Sequence, residues 1–107
     1  MVETRPLFDM MLYVHDLDDY YYIRQSENRI PDIDNEVALH TIYMSKIESI
    51  HPTVSKQNSV IYTYDSHGGK VPHFVYETYE EVNAAYERYL ELKMKWELKK
   101  NEILDAL

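Results

Sequence analysis

The chain has 107 residues, 45% of them apolar, with no cysteine and a formal net charge of -8. That length holds a single domain, residues 1–107, able to bury about two thirds of its unfolded surface. The missing cysteines exclude disulfides, thiol chemistry and Cys-ligated zinc.

Residues 1–81 carry 14 Asp and Glu against 6 Lys and Arg, while residues 82–107 carry 5 of each. The basic residues of the acidic part are scattered as Arg5, Arg24, Arg29, Lys46, Lys56 and Lys70. A nucleic-acid surface must concentrate cations against phosphate, so direct nucleic-acid binding is not expected and a protein partner with a basic surface is. There is no run of 18 apolar residues, and the opening MVETRPLFDMM lacks a basic region followed by an apolar one. The expectation is therefore a cytoplasmic chain with no membrane partner.

Along the chain, Leu12 and Val14 alternate with Tyr13 and His15, and after DLDD a second alternation runs from Tyr20 to Gln25. This predicts a hairpin with an acidic tip. Residues 26–36 are polar, contain Pro31 and show no period, which predicts a loop. Val37–Met44 reads as a third strand, and Ile47 and Ile50 belong either to a helical turn or to a short strand ended by Pro52. SVIYTYD and VPHFVYE then flank the only two glycines, Gly68 and Gly69. That pattern predicts a hairpin with positive φ in a primed turn, and Pro72 at an edge or a bulge.

Thr78 followed by Glu81 is a capping box, so a helix starts there. Val82, Ala85, Tyr89, Leu92, Trp96, Ile103 and Ala106 keep a three-four spacing, which extends the helix over about 79–106. Acids lead it and Lys93, Lys95, Lys99 and Lys100 follow, matching the macrodipole. At 1.5 Å per residue it spans about 42 Å, longer than such a domain is wide. Its far end should protrude, and self-association through Tyr89, Leu92, Trp96 and Ile103 would cover it, giving a homodimer. The fold class is α+β: a curled antiparallel sheet of about five strands over about 7–77, with one long C-terminal helix packed across it.

No catalytic pattern is present. There is no nucleophile elbow, no glycine-rich phosphate loop and no cysteine, and the paired carboxylates sit in a wet turn. The five histidines lack metal spacing, with His67 and His73 the one pair a hairpin register could bring together. Asp32, Asp34 and Glu36 imitate a calcium loop, but Val37 stands at its sixth position and Tyr43 at its twelfth. No metal or cofactor is therefore expected.

Eleven tyrosines against two phenylalanines point to rings whose hydroxyls stay wet, and tyrosine offers large contact area at low entropic cost. Asp16, Asp18, Asp19, Tyr20, Tyr21 and Tyr22 are accordingly the candidate partner-binding residues of a non-enzymatic module that inhibits or regulates its partner. The alternative is a sequestering domain for a small molecule or nucleotide signal, with a tyrosine-lined sheet and residues 26–36 as a lid.

The run IESIHPTVSKQNSVIYTYDSHGGKVPHFVYETYEEV resembles the FlbD-type small flagellar accessory proteins. Ile47, Ile50, Val60, Ile61, Val75, Glu77, Thr78, Glu80, Glu81 and Val82 carry the likeness. The resemblance implies two strands, a hairpin turn, a further strand and a capped helix. The chain departs from that family by an insertion at 26–41, a longer hairpin loop and an extended helix. Its short, acidic, tyrosine-rich composition also looks like that of small phage-encoded inhibitor proteins, which implies a protein target in a host or defence system.

Overall fold

A computed structural model describes residues 8–105, with side chains described for residues 8–100. The described residues open with strand β1 (Met11–His15), followed by helix α1 (Leu17–Glu27), a one-turn helix α2 (Ile33–Glu36) and strand β2 (Leu39–Tyr43). A 3-10 turn at Met44–Lys46 leads into β3 (Ile47–Pro52), β4 (Ser59–Tyr64), β5 (Lys70–Val75) and helix α3 (Tyr79–Asp105). The class is α+β, with a long C-terminal helix as expected.

The single five-stranded sheet is replaced by two antiparallel sheets, β1-β2 and β3-β4-β5. They meet at one bridge between Asp16 and Val75, supported by the Tyr76 N–H donating to the His15 carbonyl at 2.8 Å. The partner expected for β1 at residues 20–25 is helical instead. β1 pairs with β2 from Met11↔Tyr43 to His15↔Leu39, so the whole of residues 16–38 hangs between the ends of one two-stranded ladder.

Helix α1 forms in spite of three consecutive tyrosines, which favour strand. Asp16 takes extended backbone angles at the N-cap position, and Asp18 and Asp19 place negative charge in the first turn, where the helix dipole favours it. Asn28 ends the helix in the left-handed region at φ 51°, a common stop for asparagine. Leu17 and Tyr20, three apart, bury against Val37 and Tyr76, with Ile23 and Ile33 beside them. That second small core overrides the alternation read as a strand.

Residues 26–36 are likewise more structured than a loop. Asp32 accepts from the Asp34 N–H at 3.2 Å to start α2, and Arg29 ties Glu27 to Glu36 at 2.6 and 2.7 Å.

The second hairpin is close to expectation. Pro72 lies on β5, an edge strand, opposite Tyr62. Its turn, however, is not a primed two-residue one: Gly68 N–H donates to Asp65 carbonyl at 3.2 Å and Gly68 sits at φ 82°. This is the type I turn closed by a left-handed residue. Gly69 has another reason to lack a side chain, since a Cβ there would lie 2.6 Å from Asp65 Oδ2.

The main core joins both sheets to α3: Leu12, Val14, Ile42, Met44, Ile47, Ile61, Val75, Val82 and Tyr89. Each such side chain contributes about 1.5–3 kcal/mol by leaving water. Thr78 Oγ1 accepts from the Glu81 N–H at 3.2 Å, the threonine half of the capping box, while the Thr78 hydroxyl itself donates to Glu81 Oε1 at 3.3 Å. The 27 residues of α3 run about 40 Å, and the molecule measures 63 × 27 × 26 Å. Its radius of gyration of 17.5 Å exceeds the roughly 13 Å of a compact chain of this size, in keeping with a helix that outruns the sheets.

Candidate interaction surface

The six residues predicted to meet a partner do not form one surface. Asp16 pairs with His40 at 3.3 Å, and Asp19 Oδ2 accepts from the Ala38 N–H at 2.7 Å, fastening α1 to the start of β2. Tyr20 is 7% exposed and packs on Tyr76 with ring centroids 4.8 Å apart. Those three residues serve the fold. Asp18, Tyr21 and Tyr22 remain exposed, and together with Gln25 they fall at i, i+3, i+4 and i+7 on one face of α1. As a strand, Tyr21 would have been separated from its two neighbours. As a helix, it shares a face with Tyr22.

This face is not uniformly acidic. A shallow groove of about 590 Å³ follows the last turns of α1, lined by Tyr21, Arg24, Gln25, Asn28, Arg29 and Ile30. Arg29 is already neutralised: its hydrogen bond to Glu36 raises its own pKa and lowers that of the carboxylate. Arg24 makes one long contact, 3.4 Å, with the Tyr20 hydroxyl. Next to it, sharing Tyr21 and Arg24, a hollow of about 200 Å³ gathers Tyr20, Tyr21 and Tyr76 beside Asn58 and Thr78. Sequence patterning missed the first because it read residues 20–25 as a strand, and the second because Arg24 and Tyr76 come together only once α1 lies against the end of β5.

Three of the five histidines, His15, His40 and His73, lie along a polar seam between the sheets. Glu77 accepts from the His15 backbone N–H at 2.9 Å and meets its ring Nδ1 at 2.6 Å, while Asp34 stands 3.9 Å from Nε2. His73 lies with its ring 5.9 Å from that of His40 and its Nε2 2.8 Å from Thr63 Oγ1. Burial, and then the charge of His40, push the His73 pKa below its ordinary value. The convergence that a hairpin register left open to His67 and His73 does not occur, since His67 stays in the turn and donates its N–H to Asp65. Among the described residues no group of three His, Asp or Glu side chains could hold a metal ion.

The predicted self-association set is divided as well. Tyr89 is 1% exposed, stacked on Phe8 at 5.9 Å, so it belongs to the chain's own core and not to a surface. Leu92 and Trp96 are half-buried, Trp96 between Phe8 and the Lys100 ammonium. Ile103 lies outside the described side chains. Among the described side chains of α3, the large apolar ones that face solvent are Leu90, Met94 and Leu98.

No described helix is long and apolar enough to cross a membrane. No protein-family model, curated protein or solved structure matches the chain.

Proposed function

We propose that the protein is a non-enzymatic interaction module that docks the exposed face of α1 on a basic surface of a partner protein and thereby inhibits or regulates it. The observation that supports this reading is the grouping of Asp18 with Tyr21 and Tyr22, 41% and 71% exposed, on one helix face of a chain carrying a net charge of -8. Exposed tyrosines supply the contact area that hot spots use, and the acidic field steers a cationic partner toward them. Asp18 is the residue to test, because Asp16 and Asp19 hold the fold together. Asp18→Lys should slow association and flatten its dependence on salt, while Tyr21→Ala with Tyr22→Ala should speed dissociation. Unchanged rates for both variants, measured against a partner isolated from the source cells, rule the reading out.

A second reading, capture of a small molecule or nucleotide signal, draws support from the hollow where Tyr20, Tyr21 and Tyr76 converge beside Arg24. Its volume of about 200 Å³ is below the roughly 300 Å³ at which ligand sites usually start. Native mass spectrometry of the protein purified from its own cells separates the two, by a co-purifying polypeptide or a bound small molecule.

A further inference from the structure

Strand β2 is paired on one side only, by β1. Met44 N–H donates to the Met10 carbonyl and Asp16 N–H to the Ala38 carbonyl, which fixes the phase of that ladder. In the register Met11↔Tyr43 to His15↔Leu39, His40 and Ile42 therefore exchange backbone bonds with β1, while Leu39, Thr41 and Tyr43 turn theirs to the other side. Among the described residues no backbone group pairs with those three.

An edge of this kind is an open template for another strand, and folded chains usually blunt it. The other strands show how. β3 is broken by a bulge between Ile47 and Ser49, carries Glu48 and ends on Pro52, and β5 carries Lys70 and Pro72. The free side of β1 is engaged at His15, whose N–H goes to Glu77 and whose carbonyl goes to Tyr76. β2 reads Leu-His-Thr-Ile-Tyr, with no proline, no carboxylate, no ammonium and no bulge.

The side chains of this edge choose the strand that fits it. Leu39, Thr41 and Tyr43 share the solvent face, Leu39 and Tyr43 being 54% and 50% exposed, so the face reads apolar, threonine, apolar in either direction. Two copies related by a two-fold axis at a sheet edge run antiparallel. With the axis at Thr41, threonine lies opposite threonine and Leu39 opposite Tyr43, both favourable cross-strand pairs, and every outward backbone group of the three residues is bonded. Centring on His40 or Ile42 instead leaves Tyr43 or Leu39 facing beyond the end of the other strand.

We infer that the protein forms a two-fold homodimer by pairing β2 with β2 of a second copy, Thr41 opposite Thr41, which joins two β1-β2 ladders into one four-stranded sheet. Tyr89, Leu92 and Trp96 take no part in it. The contact lies on a different element from the partner face of α1, so either can fail without the other. It is small for a specific interface, so the dimer assembles in the micromolar range.

The chain has no cysteine, which makes single-cysteine crosslinking a clean test. Under mild oxidation Thr41→Cys should give a disulfide-linked dimer, since paired Cα atoms there lie about 5.5 Å apart. Leu39→Cys and Tyr43→Cys should each fail alone, because two copies of either position are offset by about 13 Å along the strands, and should crosslink when mixed. Amide exchange at Leu39, Thr41 and Tyr43 should slow as protein concentration rises, while His40 and Ile42, already bonded to β1, should not change. Thr41→Pro removes a donor that the β1-β2 ladder does not use, and should weaken association about tenfold or more with unchanged circular dichroism. Thr41→Lys, which sets an ammonium against its own copy, should weaken it as well. Sedimentation showing a monomer throughout the micromolar range overturns the inference. So does equal self-crosslinking at positions 39, 41 and 43, and so does a dimer that survives both Thr41 variants.

Discussion

Glu77 holds His15 twice, accepting from its backbone N–H at 2.9 Å and meeting its ring Nδ1 at 2.6 Å. One carboxylate thus fastens the end of β1 to the entrance of α3, next to the single bridge that joins the two sheets. Glu77→Ala leaves a half-buried N–H without its acceptor and should cost about 2–3 kcal/mol in urea unfolding. Hydrogen exchange should quicken most at His15 and Tyr76, whose amides cross this seam, and a uniform change across the chain would contradict the seam's role.

The Tyr89 hydroxyl is buried without a hydrogen-bond partner among the described residues. Burial, and then the nearby Asp9 carboxylate, raise its pKa above the ordinary 10.0, so the group stays neutral in the fold. An unpaired hydroxyl costs about 1–3 kcal/mol to desolvate, while the ring itself stacks on Phe8. Tyr89→Phe should therefore stabilise the protein by about 1 kcal/mol, whereas Tyr89→Ala should lose about 3–5 kcal/mol by leaving a cavity. A thermal melt in which Tyr89→Phe falls below the parent would show that the hydroxyl is satisfied after all.

His73 titrates below its ordinary 6.5 in the folded chain, first through burial and then through His40. The unfolded chain therefore takes up this proton at higher pH than the folded one does. His73 contributes stability that is complete above about pH 6.5 and is lost as pH falls through its lower folded value. NMR titration of the ring should place its midpoint below 6.5. His40→Gln should move that midpoint upward without restoring it fully, because the burial persists. A midpoint that does not move assigns the whole shift to burial.

Two adjacent carboxylates should behave differently on truncation. Asp19 accepts from the Ala38 N–H at 2.7 Å and faces the first turn of α1, so Asp19→Ala should cost about 1–2 kcal/mol. Asp18 is exposed, and Asp18→Ala should stay within about 0.5 kcal/mol of the parent. Equal losses in urea melts would mean that the division between folding and surface carboxylates is wrong.

The part of the fold written in local signals was legible in the sequence. Thr78 and Glu81 mark the start of α3, paired glycines mark the turn near Gly68, and Pro72 marks an edge. The first quarter was misread because a run of tyrosines alternates by accident in the way a strand does. Asp16, the acids after it and Asn28 were start and stop signals for a helix, and they agreed with the Leu17 and Tyr20 spacing. β-Propensity depends more on context than capping does, and here burial of Tyr20 against Tyr76 decided the outcome. Asp16, Asp19 and Tyr20 entered the candidate site for the same reason: composition grouped them with Asp18, Tyr21 and Tyr22, and only tertiary contacts could separate them. The Leu90, Met94 and Leu98 ridge was present as spacing but hidden beside the stronger stripe that forms the core.

Residues 16–38 begin and end at neighbouring positions, since β1 and β2 close their ladder at His15↔Leu39. A segment whose two ends are held side by side can change length at its exposed turns while the ladder that carries it stays in register. Helix α1 is thus carried between two neighbouring strand ends, and the residues of its exposed face can vary while Leu17, Asp19 and Tyr20 keep it fastened to the scaffold.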